Sequence, residues 1–156
     1  MVGVVLVLLG GIAVALYQHY VALGLPSDAA EALDHPEQLT LYSLEPLPQP
    51  GPRGKVLDGY TVLGERILSL RQGKLAIRAF RIAMQYNGPM DACFDPRHAI
   101  RINSNAHSFD YLICYSCSAL EVFRDGKLIY GAQAGGSSAA LDDLLTRNGL
   151  PLSKSE

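Results

Sequence analysis

A chain of 156 residues, 49% hydrophobic and 18% charged, suits one domain with appendages and is more apolar than an average soluble domain. Its net charge of −2 excludes an electrostatic case for nucleic acid or an anionic surface as partner. Its 3 cysteines allow at most one internal bridge and leave one thiol.

The chain begins MVGVVLVLLGGIAVALYQHYVALGLP, with no charged or strongly polar side chain from residue 2 to residue 17. A spanning helix needs about 20 mostly apolar residues, and residues 1–25 reach that length by tolerating Gln18 and His19. The competing reading is a cleaved signal peptide, with small residues at Ala22, Gly24, Ser27 and Ala29. No Lys or Arg precedes the apolar run, so residues 1–25 are expected to stay attached as a transmembrane anchor. The first basic residue is Arg53, while Asp28, Glu31, Asp34 and Glu37 follow the run. Cytoplasmic flanks collect Lys and Arg, so the body is expected outside the cytoplasm.

Six of the nine prolines fall between Pro26 and Pro52. Repeated X-Pro pairs hold a backbone extended and forbid a long helix. Residues 26–55 therefore read as an acidic, Pro-rich spacer, with SDAAEALDH as a short helix starting at Ser27. The alternative is an irregular strap lying on the domain.

The folded body is expected over residues 56–152, with 153–156 as a tail. GYTVLGERILSL suits a strand. SLRQGKLAIRAFRIAMQYNGP reads as a helix with a Ser69/Gln72 capping box, ended by Asn87-Gly88-Pro89. Ile77, Phe80 and Met84 share one face of it. Arg71, Lys74, Arg78 and Arg81 share another, a basic stripe that is either a partner-binding surface or a solvated face. HAIRIN and FDYLIC follow as strands, then ALEVFR and KLIY around Asp125-Gly126, a strong hairpin signal. A last helix over residues 138–148 turns Leu141, Leu144 and Leu145 inward and ends at Gly149 and Pro151. The order implies an α+β fold: a small antiparallel meander packed with two helices, behind the anchor and spacer.

The chemistry-bearing residues are Cys93 and His98 in CFDPRHAIR, and Cys114 and Cys117 in CYSC. In an antiparallel meander the start of the His98 strand lies beside the end of the Cys114 strand. Cys93, His98, Cys114 and Cys117 are therefore expected to gather at one end of the sheet. A Cys3His zinc site is one reading. A bridge from Cys93 to Cys114 or Cys117 is another, worth about 3 kcal/mol on the chain-entropy model. Plain burial ranks next, and redox catalysis last, because the pair follows a strand rather than opening a helix. Asp110 is the carboxylate expected nearest His98 if that ring does acid–base work.

CFDPRHAIR followed by FDYLICYSCSALEVFRDGK resembles a group of uncharacterised bacterial proteins that carry a C-F-x-P-R-H element and then a C-[FY]-x-C element. The likeness covers roughly residues 58–152 and is sharp over 93–127. It implies the grouping of the four Cys and His residues and implies no reaction.

The expected function is a membrane-anchored extracytoplasmic binding or accessory module with a structural Cys/His cluster. It would sit in the bacterial inner membrane with its domain on the periplasmic side. The expected partners are the membrane, through residues 1–25, and a protein, with no nucleic acid. The rival is a metal- or thiol-dependent enzyme centred on Cys93, His98, Cys114 and Cys117, with no certain cofactor and zinc as the candidate metal.

Overall fold

A computed structural model describes residues 24–46 and 54–154. In chain order these form α1 (Ser27–Asp34), β1 (Gln38–Glu45), β2 (Val56–Leu57), β3 (Tyr60–Ile67), α2 (Leu70–Ala83), β4 (His98–Ser104), β5 (His107–Cys114), β6 (Ala119–Arg124), β7 (Lys127–Gln133) and α3 (Ala139–Arg147). All seven strands join one antiparallel sheet in the order β2-β3-β1-β4-β5-β6-β7.

This corrects the expected architecture in three ways. The sheet has seven strands rather than a small meander, and three helices cover it rather than two. The spacer expected over 26–55 holds α1 and β1, and β1 is hydrogen-bonded on both sides, to β3 and to β4. The expected transmembrane helix has no counterpart among the described residues. Among the described residues no helix is long and apolar enough to cross a membrane, and residues 1–23 of the expected anchor lie outside those described.

The spacer reading failed for a physical reason. Pro36 and Pro46 flank β1 instead of interrupting it, and a proline breaks a strand only from within. Between them Leu39 and Leu41 alternate with Tyr42 and Leu44, and each pair enters a different core. That is the two-residue period of a strand buried on both faces.

Local signals explain most other elements. Ser69 and Gln72 form both halves of the capping box that starts α2. Its buried face runs through Gly73, Ala76, Ile77, Phe80 and Ala83. Asp125 and Gly126 sit at φ 51° and 76°, the left-handed pair of a two-residue hairpin turn. Asp58-Gly59 makes the same turn between β2 and β3, at φ 46° and 96°. α1 is held by the Tyr111 hydroxyl, which donates to the Ala29 carbonyl, and by Asp28 pairing with Arg124.

The connection from β3 to β4 crosses β1 by way of α2, so the helices gather on one face of the sheet. That face holds the main core, including Leu41, Phe80, Ile100, Ile102, Tyr111, Ile113, Leu141 and Leu145. The other face holds a smaller core of Tyr42, Leu44, Leu57, Ala99 and Leu112. It is covered by the β2–β3 hairpin and by Phe94.

Candidate functional site

The cysteines reach the second face from three pieces of chain. Cys114 ends β5 and pairs in register with Ala119 of β6. Cys117 lies in the turn between those strands, and Cys93 on the loop before β4. Cys93 and Cys117 form a disulfide with Cα atoms 5.6 Å apart, closing a sequence separation of 24. Asp91 N–H donates to the Cys117 carbonyl at 3.0 Å, a second tie between loop and turn.

Cys114 is free and buried. Its Sγ accepts the Cys117 backbone N–H at 3.1 Å and lies 3.3 Å from Ser116 Oγ. The three sulfurs are within 4.8 Å of one another.

His98 does not join them. The register pairs His98 with Ile113, not with Cys114. One step along a strand reverses the face. His98 therefore points with Ile100 and Ile102 toward the helices, while Cys114 points with Leu112 to the other side. Closeness of backbone was legible from topology; the face was set by a one-residue offset.

On its own side His98 is 5% exposed. Its Nε2–H donates to Asp142 Oδ1 at 2.7 Å, and the other oxygen of Asp142 accepts from Ser138 Oγ at 2.6 Å. Burial pushes the imidazole pKa down, and the Asp142 carboxylate opposes that shift. Tyr115 presents a ring edge to His98 at 5.8 Å. Asp95, Arg97, Tyr115 and Ser116 complete a cleft beside the pair. The serine hydroxyl is bonded to the carboxylate, not to the imidazole, so the ring does not activate it as a nucleophile.

The carboxylate expected beside His98 was Asp110, which faces the other way. Arg101 grips fully buried Asp110 through two hydrogen bonds of 2.6 and 2.7 Å. Asp58 reaches the same spot from the β2–β3 turn. Burial and the nearby Asp110 charge push its carboxyl up to about 7. Its Oδ2 is buried with no hydrogen-bond partner among the described residues. The Arg101 guanidinium lies 6.0 Å from the Tyr42 ring centre, and Lys55 Nζ 5.4 Å from it.

The basic stripe divides. Arg81 pairs with Asp34 and is partly withdrawn. Arg71, Lys74 and Arg78 are exposed. Lys74, Arg78 and Arg81 edge a groove between α2 and the α1–β1 connection, floored by Leu39, Leu68 and Ile77. Three large apolar side chains stand exposed along it: Leu70 at 74%, Ile67 at 61% and Ile82 at 58%.

Asp58, Asp142 and the groove were missed from sequence. A signal existed for Asp58, since Asp58-Gly59 is the same hairpin dipeptide as Asp125-Gly126. Asp142 lies 44 residues from His98, and nothing local links them. No family model, no curated protein and no solved structure matches this chain.

Proposed function

We propose that this chain is a non-catalytic binding or accessory module of an oxidising, extracytoplasmic compartment, and that its partner is a protein segment both acidic and amphipathic. The observation that carries the reading is the groove beside α2, with Ile67, Leu70 and Ile82 exposed along a cationic edge. Exposed apolar side chains that cluster beside one groove mark interaction surfaces, whereas single ones do not. Lys74 and Arg78 have no ion-pair partner among the described residues, which leaves their charge for an acidic partner. The Cys93–Cys117 bridge favours the compartment, because such bonds persist where thiols are oxidised. We further place the chain with the bacterial proteins that share its two cysteine elements, on the outer side of the inner membrane.

Magnitudes shape the proposal. Burying the three apolar side chains offers about 1.5–3 kcal/mol each. Association costs about 4–15 kcal/mol. The apolar contacts alone therefore give weak binding, and the cations add orientation and on-rate. An enzyme centred on Cys93, His98, Cys114 and Cys117 is disfavoured by the sheet standing between the histidine and the sulfurs.

The test uses the oxidised full chain and a labelled amphipathic helical peptide with Glu along its polar face, followed by fluorescence anisotropy. The Glu peptide should bind, and binding should weaken with salt. Ile82→Asp should abolish it, and Lys74→Glu with Arg78→Glu should transfer preference to a Lys-bearing version. Binding by neither peptide, or binding indifferent to Ile82→Asp, would overturn the reading.

A further inference from the structure

We propose that in the reduced protein Cys93, Cys114 and Cys117 form a three-thiolate site for a soft d10 metal ion of the Zn2+ class, with its fourth position open toward solvent. This inference stands apart from the groove and its partner, since it rests on the sulfurs alone.

The first support is distance. A tetrahedral ion with metal–sulfur bonds of about 2.3 Å holds its sulfurs about 3.8 Å apart. All three sulfurs already lie within 4.8 Å of one another. Once the Cys93–Cys117 bond opens, that pair parts by about 1.7 Å from its bonded distance, and Cys114 closes by at most about 1 Å.

The second support is how firmly each sulfur is held. Cys114 is fixed by its pairing with Ala119 in the sheet, and Cys117 by the turn that follows. Only Cys93 sits on irregular chain, so one loop adjusts while two ligands stay in place. The third support is hydrogen bonding. Cys117 N–H and Ser116 Oγ both approach Cys114 Sγ. These contacts hold that sulfur in a fixed position, as the neighbours of a metal ligand do. The fourth is access. Cys93 is exposed while the other two are buried. The ion therefore enters from the Cys93 side and keeps that side for water or an exogenous ligand. His98 takes no part, because it lies across the sheet.

The chemistry balances with a dithiol or phosphine reductant. Two electrons and two protons convert the Cys93–Cys117 bridge into two thiols. The metal then displaces the thiol protons, up to one from each sulfur, so uptake strengthens as pH rises. The same sulfurs thus have two closed states, a covalent staple when oxidised and a metal thiolate when reduced.

The test reduces the full chain with a phosphine under anaerobic conditions and titrates Co2+, then Zn2+. One Co2+ per chain should appear with thiolate-to-metal charge-transfer absorption and intense tetrahedral bands, and Zn2+ should displace it. Cys114→Ser and, separately, the exposed Cys93→Ser should each weaken uptake by about 100-fold or more, the upper end of what loss of a supporting group alone costs. His98→Asn should leave stoichiometry and spectrum unchanged. No uptake by the reduced chain, uptake that survives both cysteine substitutions, or uptake lost in His98→Asn would each overturn the proposal. Because the peptide assay uses the oxidised chain, failure of the groove reading leaves this result intact.

Discussion

The two faces of the sheet are built on different principles. The helix-covered face is filled by volume, with Phe80, Tyr111, Ile113, Leu141 and Leu145 almost wholly buried. The buried His98 on this face is shielded and held by a carboxylate from α3. The opposite face has a small apolar core, and its cover is a two-residue strand, a hairpin turn and a loop. The Cys93–Cys117 bridge ties the loop down, and the hairpin turn brings the buried Asp58 carboxyl over the Arg101–Asp110 fork that joins β4 to β5. Apolar packing on one face is diffuse and tolerant; on the other, few bonds carry much of the order.

The largest effect should come from β1, which belongs to both faces. A chain beginning at Arg53 lacks the strand between β3 and β4, so both lose a hydrogen-bonded neighbour. It should show no cooperative thermal or urea transition. A sharp transition close to that of the intact chain would mean β1 adds little to either face.

Next come single substitutions that contrast the faces. Arg101→Ala strands Asp110 as a buried, unpaired charge and should cost about 3–5 kcal/mol by urea denaturation. Replacing both partners, Arg101→Met with Asp110→Leu, should recover most of that loss. Phe80→Ala on the helix face should cost a similar 3–5 kcal/mol or so through a cavity, with no partner substitution to rescue it. Equal losses in the single and paired variants of Arg101 would remove the contrast.

Opening the Cys93–Cys117 bridge should cost about 3 kcal/mol on the chain-entropy model. The measurement compares urea midpoints with and without a phosphine, in the presence of a chelator. Cys93→Ser should reproduce the loss without reductant. An unchanged midpoint would show that the loop needs no staple.

Titration separates the faces by sign. Asp58 has its folded pKa raised to about 7, above the carboxylate's ordinary value. Its contribution is fully present at low pH and is lost as pH rises through about 7. His98 has its folded pKa lowered. Its contribution is present above the ordinary imidazole value of about 6.5 and is lost as pH falls through the lowered one. Asp58→Asn should remove the decline toward neutral pH, and His98→Asn the loss on acidification. Both are read from urea midpoints across pH. A wild-type slope retained in either variant would assign that slope to another group.

The smallest effect concerns α2. Gly73 lies on its buried face, and a Cβ there would meet Leu39 side-chain atoms at 3.8 Å, an ordinary contact. Gly73→Ala should stabilise by about 0.5–1 kcal/mol through helix propensity. A loss instead would show that the helix sits closer to β1 than that contact implies.

By itself the sequence determined what is decided within a few residues. The Ser69/Gln72 box started α2, Asp125-Gly126 turned β6 into β7, and Leu141, Leu144 and Leu145 turned inward from α3. Each depends on neighbours along the chain, where caps, turn dipeptides and periodicity act. The α+β mixture followed from the same kind of reading, whereas a bridge from Cys93 was one of several states left open for the cysteines. Tertiary structure alone decided the rest. β1 was hidden by proline content, because the case for a strand came from the two partners that flank it. The candidate site came apart because pairing His98 with Ile113 instead of Cys114 is one step of register, and one step reverses the face. Asp142 found His98, and Asp58 found Asp110, across separations that no local pattern encodes. Helix and turn signals are written in adjacent residues, whereas register and face are set only when distant strands bury their side chains together.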